Sequence, residues 1–192
     1  MSNAKKANWI KETLDLDPNH NWKSNDGYNL FVVGRGAVHL EVPRDWKLEP
    51  KAESFSFTDR EPPDDDCRLE ISYRMLPPND WDTFPMKRIL RQVMENDDRQ
   101  VTEWGQIFLE KRKKYRLVWT EIKFIDTETE DKSREAFSRT AISLGSNIQC
   151  LITFDCWENQ RDQFLPVWDH AIATLILGKF INDPRTGFEA PD

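Results

Sequence analysis

One stretch, Asn147–Phe180, constrains the fold of this chain more than any other. Between residues 147 and 157, Ile148, Cys150, Ile152, Phe154 and Cys156 alternate with Gln149, Leu151, Thr153, Asp155 and Trp157. Side chains alternate faces along a strand, so one face is wholly apolar and belongs against a core. Leu151 and Trp157 make the second face partly apolar, which calls for cover on both sides. A helix follows, with Phe164, Val167, Trp168, Ala171, Ile172, Leu175 and Ile176 at helical spacing. Gly178 comes after the last apolar turn, where a residue able to take a positive φ closes a helix. Pro166 leaves two readings open: a start near Gln163 with Asp162 as cap, or a kink.

The rest of the chain supplies partners for this unit. Residues 4–14 read as a short helix and Asp15–Gly27 as a loop. Asn29–Val33 and Ala37–Val42 are strands of a hairpin turned at Gly34-Arg35-Gly36. Trp46 is expected to fold back over the sheet edge. Ser54–Thr58 is a short strand with Phe55 and Phe57 on one face. Asp59–Asp66 is a loop, and Cys67–Met75 is an alternating strand ended by Pro77-Pro78. A helix spans roughly Phe84–Glu95, with Pro85 in its first turn. A meander follows: strands Val101–Lys111, Tyr115–Thr127 and Arg134–Leu144, a polar loop Thr127–Ser133, and a two-residue type II′ turn at Gly145-Ser146. Strands joined by short turns are antiparallel, so the fold class is α+β: a meander sheet flanked by helices. The organisation reads as an N-terminal short helix and loop (1–28), a single domain (29–181) and a mobile polar tail (182–192).

Charge narrows the partners. The chain of 192 residues carries 27 Lys and Arg against 34 Asp and Glu, a formal net charge of −7. Nucleic acid and anionic membranes attract positive fields, so neither is expected as the main partner. The N-terminal residues contain no apolar signal-like core, and no stretch approaches the ~20 apolar residues that span a bilayer. A cytoplasmic location is therefore expected.

Motifs that carry chemistry are sparse. Gly34-Arg35-Gly36 leads into a strand rather than a helix, so it does not build a phosphate cradle. Asp64-Asp65-Asp66 lacks calcium-loop spacing and reads as a solvated acidic loop. His20, His39 and His170 form no metal-ligand spacing. His170 reads as lying on the outer side of the last helix. Cys67, Cys150 and Cys156 sit in apolar strands and read as buried, inert thiols. Lys111-Arg112-Lys113-Lys114 reads as a solvated hairpin tip. No catalytic residue, cofactor or metal is expected.

The order of elements, together with Leu40–Trp46 (LEVPRDW) and the terminal strand and helix, resembles the PsbP/DcrB-like superfamily. That superfamily also contains a small Ran-binding nuclear import factor. The resemblance spans about residues 29–180 and implies an α/β/α sandwich whose members act mostly by binding other proteins. It carries no binding residue across, because no functional motif matches.

Two groups stand out as candidate partner-binding residues. Trp22, Trp46 and Trp81 lie in loops, where an exposed tryptophan marks an interface and a buried one plugs the end of a sheet. Arg68, Glu70 and Arg74, with Ser72, form one polar strand face that suits recognition if no helix covers it. The expected function is a non-enzymatic protein-interaction domain with another protein as partner. Two alternatives stay open: a small-ligand binder or hydrolase with a cleft between sheet and helix, and an immunity or inhibitor protein against a basic toxin.

Overall fold

A computed structural model describes residues 12–127 and 133–190. In chain order its strands are β1 (Tyr28–Val33), β2 (Val38–Pro43), β3 (Lys47–Pro50), β4 (Phe55–Thr58) and β5 (Cys67–Met75). After them come α1 (Met86–Glu95), β6 (Gln100–Trp104), β7 (Phe108–Lys111), β8 (Arg116–Asp126), β9 (Arg134–Gly145) and β10 (Ile148–Trp157). A 3-10 turn (Glu158–Gln160), α2 (Arg161–Thr174) and β11 (Ile176–Leu177) complete the set.

The main sheet runs β3-β4-β5-β10-β9-β8-β6, with β7 also on β8, and each pairing is antiparallel. β10 lies in the middle. Its Ile148, Cys150, Ile152, Phe154 and Cys156 are all buried, as the alternation requires. They share a core with Leu69 and Ile71 of β5 and with Phe164, Trp168, Ala171 and Ile172 of α2. The rings of Phe154 and Trp168 meet at 5.9 Å. The opposite face carries α1, whose Met86, Leu90 and Met94 pack with Val118, Ile122, Ile142 and Leu144. Leu151 and Trp157 of β10 join this second core. The architecture is therefore α+β, with a helix on each face of an antiparallel sheet.

Several boundaries differ from the sequence reading for identifiable reasons. The first hairpin forms, but it belongs to a separate three-stranded sheet, β1-β2-β11. Its third strand comes from Ile176 and Leu177, which the apolar stripe placed in the last helix. Leu175 turns extended and ends α2 there. Pro166 lies within α2, which starts at Arg161, straight after the 3-10 turn. The expected strand Val101–Lys111 is two strands, broken at Gly105–Ile107. The β9–β10 loop is Ser146-Asn147, both with positive φ (52° and 56°), which is a type I′ rather than a type II′ turn. Gly145 is needed for a different reason: a Cβ there would lie 2.3 Å from the Lys114 carbonyl oxygen. The expected helix over residues 4–14 falls largely outside the described residues, as does most of the 127–133 loop.

The expected mobile tail is tied down over residues 182–190. Ile181 bridges Glu189, and the Asp17 and Asn21 amides donate to the Arg185 and Thr186 carbonyls at 3.0 and 2.7 Å. Backbone hydrogen bonds, rather than the polar side chains visible in sequence, hold this segment.

His170 also differs from expectation. Its Nε2 lies 2.7 Å from Glu41, which is buried in β2, and its ring stacks on Tyr28 with centroids 3.6 Å apart. Asn25 donates to the same carboxylate from its amide and side chain, at 3.1 and 2.9 Å. This cluster joins the N-terminal loop, β1, β2 and α2. Burial opposes ionisation of Glu41, but the His170 and Asn25 hydrogen bonds outweigh it and hold the carboxyl below the usual glutamate range. The unfolded chain then binds more protons than the folded one in the acidic window. Glu41 therefore stabilises the fold above the ordinary glutamate pKa, and this contribution falls away as pH drops through the lowered value. Glu41→Ala is expected to cost about 3 kcal/mol at pH 7 and less at pH 3, read from urea midpoints at the two pH values.

Gly36 offers a second check. It has φ +99°, and a Cβ there would lie 2.0 Å from the Lys179 carbonyl oxygen. Gly36→Ala is expected to destabilise by at least ~2 kcal/mol in the same assay.

Candidate recognition cleft

The break between β6 and β7 shapes the cleft. Gly105 lies so close to β8 that a Cβ would lie 2.7 Å from the Glu121 carbonyl oxygen, and its amide donates to that oxygen at 2.8 Å. The buried Thr120 hydroxyl donates to the Gln106 carbonyl at 3.0 Å. These bonds pin the loop while Trp104 and Ile107 face α1. A cleft of about 550 Å³ results, lined by Lys87, Arg91, Met94 and Glu95 of α1 and by Trp104–Ile107 and Thr120 opposite. Met94 and Ile107 supply apolar surface, with Trp104 as a wall. Lys87 and Arg91 stand on the rim, and among the described residues neither is in an ion pair.

The apolar surface continues along the sheet edge. Trp104 is 55% exposed, Leu109 48% and Phe108 42%. Trp104 and Leu109 sit opposite Ile122 and Val118, on the α1 side of β8. Phe108 points to the other side and stacks on Trp119 at 4.4 Å. Among the described residues β6 and β7 pair only with β8, which leaves their outer backbone edge open.

The three loop tryptophans have other surroundings. Trp22 donates through Nε1 to the Pro184 carbonyl at 2.6 Å and lies over Gly187, plugging the C-terminal loop. Trp46 packs on the α2 core, edge-on to Phe164 at 6.4 Å. Trp81 joins the α1 core, donates to Asn147 Oδ1 at 3.2 Å, and accepts from the Arg116 guanidinium through its carbonyl. All three are partly buried and fill gaps between elements.

Arg68, Glu70, Ser72 and Arg74 do share one face of β5, and each of the three charged residues has a local partner. Arg68 pairs with Asp65 at 3.0 Å, Glu70 with Lys51 and Ser54, and Arg74 with Gln149. Burial opposes ionisation of Glu70, but Lys51 and Ser54 hold its carboxyl below the usual range. Further along this face Arg99 is gripped by Asp97 and reaches Asp155 at 2.8 Å, with its guanidinium 4.3 Å above the Phe124 ring. Burial pushes Asp155 upward, against the pull of Arg99. Among the described residues, no hydrogen bond or ring contact joins Trp22, Trp46 or Trp81 to Arg68, Glu70 or Arg74.

In the basic turn, Arg112 folds inward and donates to the Ile172 carbonyl at 2.8 Å. His39 is buried, with Nε2 2.7 Å from the Lys179 carbonyl oxygen, and burial lowers its pKa. Among the described residues, no three His, Cys, Asp or Glu side chains converge as metal ligands.

Sequence reasoning passed over Trp104 because it sat inside one continuous strand. The signal available was the glycine beside it, since glycine inside a strand marks a break or a close backbone approach.

The model of the Alr1449 family matches residues 29–181. This chain belongs to the Alr1449 family. It is 55% identical over 194 residues to uncharacterized protein alr1449 of Nostoc sp. strain PCC 7120, covering all of both chains. Among solved structures, the cyanobacterial PsbP (CyanoP) of Synechocystis sp. PCC 6803 is similar at a TM-score of 0.57 and 10% identity, over 81% of this chain and 95% of that one. A Bacteroides thetaiotaomicron protein is similar at a TM-score of 0.52 and 19% identity, over 80% of this chain. The chain covers about half (49%) of that longer protein. The fold of this Alr1449-family chain is thus PsbP-like, as the resemblance implied.

The two kinds of tryptophan respond differently to truncation. Trp46→Ala is expected to lose about 3 kcal/mol of stability, because it empties space in a core. Trp104→Ala is expected to stay within about 0.5 kcal/mol of the parent chain, because little is packed on its outer face. Urea unfolding followed by circular dichroism measures both.

Proposed function

We propose that this Alr1449-family chain is a non-catalytic protein-recognition domain, and that it docks an extended acidic segment of another protein at the α1 cleft and the β6–β7 edge. One observation carries the reading. Exposed Trp104 and Leu109 flank a strand edge that is open among the described residues, beside Lys87 and Arg91, which make no ion pair among them, in a chain of net charge −7. An open edge offers main-chain hydrogen bonds to an added strand, and alternate side chains of that strand select the sequence. The cleft accepts one apolar anchor against Met94 and Ile107. Lys87 and Arg91 attract acidic residues flanking that anchor. Tryptophan and arginine contribute the largest shares of binding energy at protein interfaces. This reading favours partner-binding residues on this edge over Trp22, Trp46 and Trp81, which are partly buried.

The size of the cleft also favours a second reading, a small-molecule binder, because about 550 Å³ lies within the usual ligand-pocket range of ~300–1,000 Å³.

Selection of a displayed random-peptide library on the full chain separates the two. The expected peptides combine Asp or Glu with one large apolar residue. Trp104→Ala is expected to weaken them by roughly 30-fold, a loss of about 2 kcal/mol. Lys87→Glu with Arg91→Glu is expected to weaken them further as salt is lowered, because the charges then repel. Peptides without acidic bias, or binding unchanged by both variants, would overturn the recognition reading.

A further inference from the structure

Cys67 and Cys156 sit directly opposite each other on β5 and β10. The Asp59 amide donates to the Cys67 carbonyl at 3.2 Å, so the Cys67 backbone groups point toward β4 and away from β10. The other end of the ladder agrees. The Leu76 amide donates to the Asn147 carbonyl at 2.7 Å, and the register from there to Cys67 is unbroken. Alternation along that ladder makes Arg68–Asp155 a hydrogen-bonded pair and Cys67–Cys156 a non-hydrogen-bonded one. In such pairs the Cα atoms lie about 4.5 Å apart and the side chains are at their closest. A disulfide requires Cα atoms roughly 4.4–6.8 Å apart. Both thiols are free, lie on the α2 face of the sheet and contact each other. They are 1% and 4% exposed.

We propose that Cys67 and Cys156 form an oxidisable dithiol that a small peroxide closes to an intramolecular disulfide. The Cys156 sulfur, as thiolate, attacks one peroxide oxygen. An S–O bond forms, the O–O bond breaks, and the departing hydroxide takes up a proton to become water. The Cys67 sulfur then attacks the Cys156 sulfur. The S–S bond forms, the S–O bond breaks, and the hydroxyl leaves as water with the proton from Cys67. Two thiols lose two electrons in total, and the peroxide is reduced to two waters. Cys156 is the first attacker because it is the more exposed of the two. Burial, with Cys156, Asp59 and Asp155 alongside, pushes the Cys67 thiol up, so closure is slow. Cys150 faces Tyr73 on β5, and burial pushes its thiol up to about 12. It has no thiol opposite and stays reduced. The new bond ties the start of β5 to the end of β10, just before the 3-10 turn and α2, and closes a long loop in the unfolded chain.

The full folded chain, with hydrogen peroxide at pH 8, supplies the test. Samples are quenched with an alkylating reagent and mapped by mass spectrometry, with circular dichroism confirming the fold. The expected product is a monomer lighter by two hydrogens, with Cys67 and Cys156 peptides cross-linked and only Cys150 alkylated. Dithiothreitol reverses it, and its Tm lies several degrees above that of the reduced chain. The Cys150→Ala variant is expected to give the same cross-link. Three alkylatable thiols after prolonged exposure would overturn the proposal. So would a cross-link that forms only in urea, or irreversible oxidation of Cys67 or Cys156 without one.

Discussion

The structure depends on β10, whose one face is buried and whose other face is half-buried. Its pairing with β5 joins residues 67–75 to residues 148–156, and its pairing with β9 joins the meander to the same centre. A strand with an unbroken apolar face cannot remain beside water at the edge of a sheet without a large hydrophobic cost. It sits in the middle, and α2, which follows it through a short 3-10 turn, folds straight back over that face. Placing β10 fixes the remaining elements: β5 on one side, β9 and β8 on the other, and α1 on the second face.

That layout also determines where charge collects. α1 rests on β8 and β9, so Arg68, Glu70 and Arg74 on β5 must find partners from loops and from β10. They find Asp65, Lys51 and Gln149. Exposed pairs of this kind contribute little to stability. The buried Glu41–His170 contact differs because it joins elements distant in sequence and is satisfied by several donors. On α1, the same layout leaves Lys87 and Arg91 outside any ion pair among the described residues, in a cleft shared with Glu95 and beside exposed aromatic surface. Basic side chains beside exposed apolar surface are the physical basis for proposing recognition there.

Much of the fold was legible from alternation and helical spacing. The β5 and β10 strands, the first hairpin, the faces of Phe55 and Phe57, and the two helices all follow from where apolar residues fall. The candidate cleft was not legible. Trp104 looks like any strand residue until Gly105 is seen to approach Glu121, and Trp46 looks like a loop tryptophan until Phe164 is seen beside it. His170 reads as exposed because its neighbour Asp169 is charged, while its actual partner, Glu41, is 129 residues away.

By itself, then, the sequence determined the fold class, the antiparallel order of the meander, and which face of β10 is buried. These depend on periodicity within a segment, which a strand or helix imposes on its own residues. Only the tertiary structure decided that Ile176 and Leu177 leave the helix to join β2, that residues 182–190 are held by the N-terminal loop, and that Cys67 faces Cys156. Each of those depends on register and contact between segments far apart in the chain, and no local pattern encodes them.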